Sequence, residues 1–250
     1  MRNFHHTSRR NFITAATAGL IGSAFALPEP KPRVRSVIHL FMDGGMSHLD
    51  TFDPKPGTGA APAISTNVPG ISISANLPRL AGHMDKITLV RSMSHTARNH
   101  QSAKSLTTDF YGEWTMADGI TSALLLAKNG VPNIRVELEG WDTHTQSSLK
   151  NAMQCQLLDD SLSQMLENLS NSGMLDQTLV ILTTEFGRSA KLNSYGGRNH
   201  HPQAYTCLFA GGGTHGGRVI GATSPDGMEV CGSPTHPQDF GALLGGGHYS

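Results

Sequence analysis

Apolar residues in this chain occur either in short unbroken runs or at wider, helix-like spacing, and the two patterns predict different elements. Val34 to Met42 carries Val37, Ile38, Leu40 and Phe41 almost without interruption, the pattern of a strand covered on both faces, and it stops at Asp43-Gly44-Gly45. Ile87 to Arg91 repeats that pattern and runs into a polar stretch with Ser94, His95, Thr96, Asn99 and His100. Asn133 to Leu138 predicts a third strand, ending at Gly140-Trp141-Asp142-Thr143-His144. Gln177 to Thr184 predicts a fourth, ending at Glu185-Phe186-Gly187-Arg188, and Tyr205 to Ala210 a fifth, ending in Gly211-Gly212-Gly213. Leu77 to Met84 and Ile120 to Lys128 predict short helices. Leu149, Met153, Leu157, Leu162, Met165, Leu166 and Leu169 recur near helical spacing and predict a longer helix, with Gly173 as its stop. Pro237 to Leu244 predicts a last short helix, and the segment from Asp53 to about Ala75 is expected to be loop.

Strands alternating with helices predict an α/β fold built on a mostly parallel sheet, whose functional site lies at the carboxyl ends of the strands. Carboxylates follow the first, third and fourth strands at Asp43, Asp142 and Glu185. A single aspartate after a strand is as readily a turn residue. Three such carboxylates, each beside glycine or histidine, favour a site.

The first residues change the domain count. Ser8-Arg9-Arg10-Asn11-Phe12-Ile13 places two arginines before a polar residue and two large apolar ones. A mild apolar run to Leu27 and the small-x-small sequence Ala24-Phe25-Ala26 follow. This order is that of a cleavable twin-arginine export leader over residues 1–26, and the run is short of the roughly 20 apolar residues that span a bilayer. The expected partner is the twin-arginine export machinery, the expected location periplasmic or extracellular, and residues 27–250 are expected to form one domain. Lys plus Arg and Asp plus Glu are 19 each, which gives no indication of a nucleic-acid partner or an anionic membrane surface. Cys155, Cys207 and Cys231 have no metal-site spacing and cannot all pair, so a disulfide scaffold is not expected.

Asp43, Asp142, His144, Glu185, His200 and His201 form a candidate metal set. Carboxylate oxygens and neutral imidazoles suit Zn²⁺, Mn²⁺ or Fe, and the lack of a thiolate pattern disfavours a structural cysteine site. Asp142 and His144 lie two apart, so in an extended segment they point the same way. Alternatively, Asp142 caps the turn while His144 and Thr145 begin the following helix. Arg188 and Arg91 are the nearest candidates for gripping an anion, with ordinary salt bridges as the competing role. Asp159 and Asp160 are candidate acceptors behind His144.

The segment Phe41-Met42-Asp43-Gly44-Gly45-Met46-Ser47-His48-Leu49-Asp50-Thr51-Phe52-Asp53-Pro54-Lys55-Pro56 resembles the opening of a large family of twin-arginine-exported proteins, common in planctomycetes and related to sulfatases and alkaline phosphatases. Gly140 to His144 resembles its second hallmark, and Thr184 to Arg188 with Gly196-Gly197-Arg198-Asn199-His200 its third. The resemblance implies a shortened alkaline-phosphatase/sulfatase-like fold with a two-metal site for phosphate or sulfate esters. Sulfated glycans are among the implied partners, and the implied cofactor is a divalent metal, Zn²⁺, Mn²⁺ or Ca²⁺. It implies that Asp43 binds one ion, that Asp142 and His144 bind the other, and that His200 is the final metal histidine. Glu185 stands where relatives have Asp followed by His, and Phe186 replaces that histidine. The implied nucleophile is Ser94 or Thr96, at a helix start after the second strand. Relatives carry a long middle region, and its absence is expected near residues 109–119. The alternative function is a non-catalytic exported binding or structural protein that keeps the fold.

Overall fold

Each unbroken apolar run becomes a strand of one central sheet. The computed structural model describes residues 34–104 and 116–239. The expected leader, most of the expected junction near 109–119 and the end of the expected last helix lie outside the described residues. In chain order the elements are β1 (Ser36–Met42), β2 (Ala63–Ser65), β3 (Ser72–Ser74), α1 (Pro78–Ala81), β4 (Ile87–Met93), α2 (His100–Lys104), α3 (Met116–Lys128), β5 (Asn133–Leu138), α4 (Ser147–Asn171) and β6 (Thr178–Thr184). There follow β7 (Gly187–Leu192), β8 (Arg198–His201), β9 (Tyr205–Gly211), β10 (Arg218–Ile220), β11 (Ala222–Thr223) and β12 (Val230–Cys231). Short 3-10 turns occupy Met84–Lys86, Leu175–Gln177 and Pro237–Asp239.

The six-stranded sheet has the order β10-β4-β9-β6-β1-β5. β1 pairs in parallel with β5 and β6, with Met42 opposite Leu138 on one side and Thr184 on the other. β9 is antiparallel to both β6 and β4, and β10 is parallel to β4. Only β9 therefore runs against the rest. Its direction was not readable from the apolar run alone. It follows from the connection: residues between β6 and β9 form the antiparallel hairpin β7–β8 rather than the crossover helix a parallel neighbour requires. The segment expected to be loop after Asp53 likewise contains a small hairpin, β2–β3.

Ile38, Leu40, Met42, Ile134, Val136, Val180 and Leu182 pack in one cluster with Leu80, Ile120, Leu124, Leu158, Leu162 and Leu166, so α1, α3 and α4 share that core. Val90, Tyr205, Cys207 and Phe209 form a second cluster. The long helix departs from its sequence reading at its first turns. Leu149 and Met153 are each 61% exposed and Leu157 47% exposed, so this i, i+4, i+8 stripe faces outward. The inward positions are instead Ser147 and Asn151, both buried. Asn151 Nδ2 donates to Asp50 Oδ2 at 3.1 Å, and Asp50 pairs with the fully buried Arg198 at 2.9 Å. A buried ion pair needs polar neighbours to complete its hydrogen bonds, and that requirement set the face of the helix. Among the described residues no helix is long and apolar enough to cross a membrane, and all three cysteines are unpaired.

Two histidines resist protonation in the folded chain, the half-buried His39 and the fully buried His48, and they make stability depend on pH. Burial, with a smaller contribution from Arg135, pushes His39 down to about 3. Burial pushes His48 down to about 4, against Asp53 and the hydrogen bond to Gly227 O, with His201 and Arg198 adding to the fall. Below pH 6.5 the unfolded chain takes up protons that the folded chain refuses, so stability is full above that value and falls as pH drops toward 4. For His48 the loss is on the order of 3 kcal/mol. The urea midpoint of wild type is expected to fall between pH 7 and pH 4.5, and that of His48→Gln to fall less. Equal falls would contradict the assignment.

Candidate metal centre

β5, β1 and β6 are adjacent and parallel, so the residues following them meet at one end of the sheet. Asp43 N donates to Leu138 O at 3.0 Å and Trp141 N to Asp43 O at 3.2 Å, which ties the ends of β1 and β5 together. Gly44 and Gly45 both have positive φ, at 113° and 76°. A Cβ on Gly44 would lie 2.3 Å from Asp142 N, and one on Gly45 2.5 Å from the Phe186 ring. Only glycine lets this turn lie against both neighbouring loops.

Glu185, after β6, receives that turn. Its Oε1 accepts from Gly44 N at 2.9 Å and its Oε2 from Gly45 N at 2.8 Å. Thr184 Oγ1 lies 3.2 Å from the same Oε2. Burial pushes the Glu185 carboxyl up, but hydrogen bonding with the His100 ring, the Asp43 side chain and the Gly44 N–H outweighs it and holds the group well below the usual carboxylate range.

Arg188 is fully buried. Its Nε donates to Gly45 O at 2.8 Å and its Nη1 to Arg198 O at 3.0 Å, while Nη2 reaches Gly44 O and Asp142 Oδ1. Burial pushes Asp142 up, yet the hydrogen bond and charge of Arg188 bring it below its ordinary value.

Around Asp142 stand three imidazoles. His144 Nε2 is 3.1 Å and His200 Nε2 3.5 Å from Asp142 Oδ1, and these two nitrogens are 2.9 Å apart. His200 Nδ1 lies 3.1 Å from Arg98 O. A carbonyl only accepts, so Nδ1 carries the proton and a neutral His200 presents its Nε2 lone pair. Burial lowers the pKa of His200 and so favours that neutral ring. The third imidazole, His100, opens α2, where Asn99 Oδ1 caps Ser102 N at 2.8 Å. Its Nδ1 is 2.9 Å from Glu185 Oε1 and its Nε2 3.6 Å from Asp142 Oδ2. The Glu185 hydrogen bond raises the His100 pKa, against burial.

The structure thus brings together Asp43, Asp142, His144, Glu185 and His200. Sequence reading missed His100 as a member, because it sits in a polar stretch with no periodic pattern; the signal was a capping asparagine immediately before it. Phe186, in the place of the expected histidine, is buried, with its ring 4.3 Å from that of His200 and 5.0 Å from that of His100. His201 is elsewhere, with Nε2 donating to Met228 O at 2.5 Å. The helix expected at Ser94 and Thr96 begins only at His100. The Ser94 amide donates to Thr235 O and its carbonyl accepts from His236, while Thr96 is exposed.

Several second roles are also reassigned. Arg188 is engaged as described, and Arg91 donates to Phe52 O and Ser72 O and pairs with Asp53, so neither is available to grip an anion. Asp159 accepts from Arg79 N and Leu80 N, and Asp160 pairs with Arg79, so neither backs His144. The helix after His144 begins at Ser147, and Asp142 faces Arg188 rather than capping it.

Two groups have ligand atoms all within 4.8 Å of one another: His100 with Asp142 and His200, and Asp43 with His100 and Glu185. Imidazole and carboxylate donors with fixed outer hydrogen bonds fit a divalent cation. The Asp142 side chain is 47% exposed and that of Glu185 fully buried, so the cluster opens to solvent over a buried backing.

No curated protein matches the sequence. Among solved structures the chain is similar to the PsFucS1 sulfatase from Pseudoalteromonas sp., at 10% identity over 85% of this chain and 68% of that one, with a TM-score of 0.45. It is similar to a protein in the alkaline phosphatase superfamily from Vibrio parahaemolyticus, at 10% identity over 86% and 67%, with a TM-score of 0.46. A third is the lipoteichoic acid synthase LtaP from Listeria monocytogenes, at 10% identity over 85% and 72%, with a TM-score of 0.40. In two pieces that overlap at 105–109, residues 34–109 and 105–244 match the family described as "Protein of unknown function (DUF1501)", and the chain belongs to that family.

Proposed function

We propose that this chain is a divalent-metal-dependent hydrolase of phosphate or sulfate esters, working outside the cytoplasm after twin-arginine export. One observation carries the reading: His144 Nε2 and His200 Nε2 face each other at 2.9 Å and both face Asp142 Oδ1, on the solvent side of a buried backing. Asp142, His144, His200 and His100 would hold the metal. A bound divalent ion supplies Lewis-acid polarisation of an ester oxygen. The chain's own contribution is placement. Arg188 fixes Asp142, Arg98 O fixes the His200 ring, and Glu185 fixes the turn after β1. Arg98, whose carbonyl holds the His200 ring, also carries an exposed side chain with no ion pair among the described residues, and its guanidinium is the candidate to meet the ester's negative charge.

The test is hydrolysis of chromogenic phosphate and sulfate monoesters by the full chain, with Zn²⁺ or Mn²⁺ and with chelator. Turnover of one ester is expected only with metal, absent in Asp142→Ala, and with KM raised roughly tenfold in Arg98→Ala, the loss of one charge-assisted contact. Metal-loaded protein that turns over neither ester would contradict the reading.

A second reading, a binding protein without turnover, is favoured by the Phe186 ring in place of an imidazole. The Ser94 and Thr96 hydroxyls, which remain the candidate nucleophiles, make no hydrogen bond to the cluster.

A further inference from the structure

We infer that the cluster holds one transition-metal ion rather than two, bound by His100 Nε2, Asp142, His144 Nε2 and His200 Nε2, with Glu185 as an outer group that touches no metal. The inference rests on the metal-site reading above and fixes its ligands, stoichiometry and ion class.

Glu185 spends most of its acceptor capacity inside the protein. Oε1 accepts from Gly44 N and His100 Nδ1, both at 2.9 Å. Oε2 accepts from Gly45 N at 2.8 Å, with Gly44 N and Thr184 Oγ1 each at 3.2 Å. A carboxylate has about four acceptor positions; the hydrogens of Gly44, Gly45 and His100 take three of them, and the Thr184 hydroxyl, which donates to Met42 O at 2.8 Å, sits over Oε2. The same hydrogen bond takes His100 Nδ1 out of the second ligand group. Of that group only Asp43 then remains, and one carboxylate does not make a transition-metal site.

The Glu185 bond also decides what His100 does. A ring that donates from Nδ1 to a carboxylate presents a neutral Nε2 outward, the arrangement in which a carboxylate behind a histidine orients it toward a metal. His100 Nε2 looks toward Asp142 Oδ2 at 3.6 Å. With Asp142 this gives three imidazoles and one carboxylate. Donors of a tetrahedral ion with bonds of 2.0–2.1 Å lie about 3.3 Å apart. The three separations among His144 Nε2, His200 Nε2 and Asp142 Oδ1, 2.9, 3.1 and 3.5 Å, bracket that spacing, and His100 Nε2 stands 3.6 Å from the other Asp142 oxygen, Oδ2. A nitrogen-rich set of four suits Zn²⁺ or Co²⁺ and not Ca²⁺, which takes six to eight oxygens. His100 thereby supplies from α2 the imidazole that Phe186 does not, while the Phe186 ring packs against His100 and His200.

The experiment is titration of metal-free full chain with Co²⁺, followed by visible absorption. Wild type is expected to bind one equivalent with the intense bands of a four-coordinate site, displaced by one equivalent of Zn²⁺ and not by a hundredfold excess of Ca²⁺. His100→Ala, on a partly exposed side chain, is expected to stay folded by circular dichroism, lose those bands and bind at least tenfold more weakly. Glu185→Gln is expected to keep the stoichiometry of one with affinity lowered 10- to 100-fold, as for an outer partner. Two equivalents in wild type, or unchanged bands in His100→Ala, would overturn the inference and leave the metal-site reading standing. No binding by wild type would overturn both.

Discussion

Arg188→Ala is expected to lose about 3–5 kcal/mol of stability, the range seen when one partner of a buried charged network is removed. The guanidinium is fully buried and joins the turn after β1, the loop after β5 and the start of β8 through Gly44 O, Gly45 O, Asp142 and Arg198 O. Asp142 is about half exposed, so water screens much of the ion pair itself. The larger costs are three buried carbonyls left without a donor and the space vacated beneath the Phe186 ring, 5.8 Å from the guanidinium carbon. For a chain of this size the melting temperature is expected to fall by roughly 10 °C. Arg188→Lys keeps the charge but loses the planar fork, and an intermediate loss is expected. Urea unfolding of the three proteins at pH 7 is the check, and a loss under 1 kcal/mol in Arg188→Ala would contradict the role assigned to it.

The readable part of this molecule is the part where burial is symmetrical. β1 and β6 are buried on both faces, so their apolar runs are nearly continuous and their ends, at Asp43 and Glu185, stand out as the first charged residues. Parallel pairing of β1 with both neighbours then brought Asp43, Asp142 and Glu185 to one end, as the α/β pattern implied. What was not readable depends on partners far along the chain. His100 belongs to the site because Glu185, 85 residues away, holds its ring. β7 and β8 are polar and pair with each other, so no apolar period announces them. Leu149, Met153 and Leu157 looked like core because their spacing is helical, but the interior at that point holds the Asp50–Arg198 pair and selects Ser147 and Asn151 instead. Arg188 and Arg91 looked available for an anion, yet backbone carbonyls claim both forks. Glu185 was read as a ligand; it stands in one of the two candidate ligand groups, with two backbone amides holding its carboxylate.

His144→Ala is expected to weaken Zn²⁺ binding by orders of magnitude while changing the stability of the metal-free chain little. His144 is 45% exposed, its Nε2 contacts are to Asp142 and His200, and the backbone around it is held by other groups: Asn193 Nδ2 donates to His144 O at 3.0 Å and Arg198 N to Thr143 O at 3.0 Å. Gly197 packs so closely on this backbone that a Cβ there would fall 1.9 Å from His144 C. Removing the ring therefore deletes one of four donors and leaves the loop in place. A ligand that binds only the folded chain stabilises it by RT ln(1 + [L]/Kd), about 4 kcal/mol at a thousandfold excess over Kd. The most direct measurement is the melting temperature of wild type and His144→Ala, each with Zn²⁺ and with chelator. The metal-centre account predicts a rise of roughly 10 °C with Zn²⁺ in wild type and almost none in His144→Ala, with matching chelated melts. Equal Zn²⁺ shifts in the two proteins, or none in wild type, would contradict it.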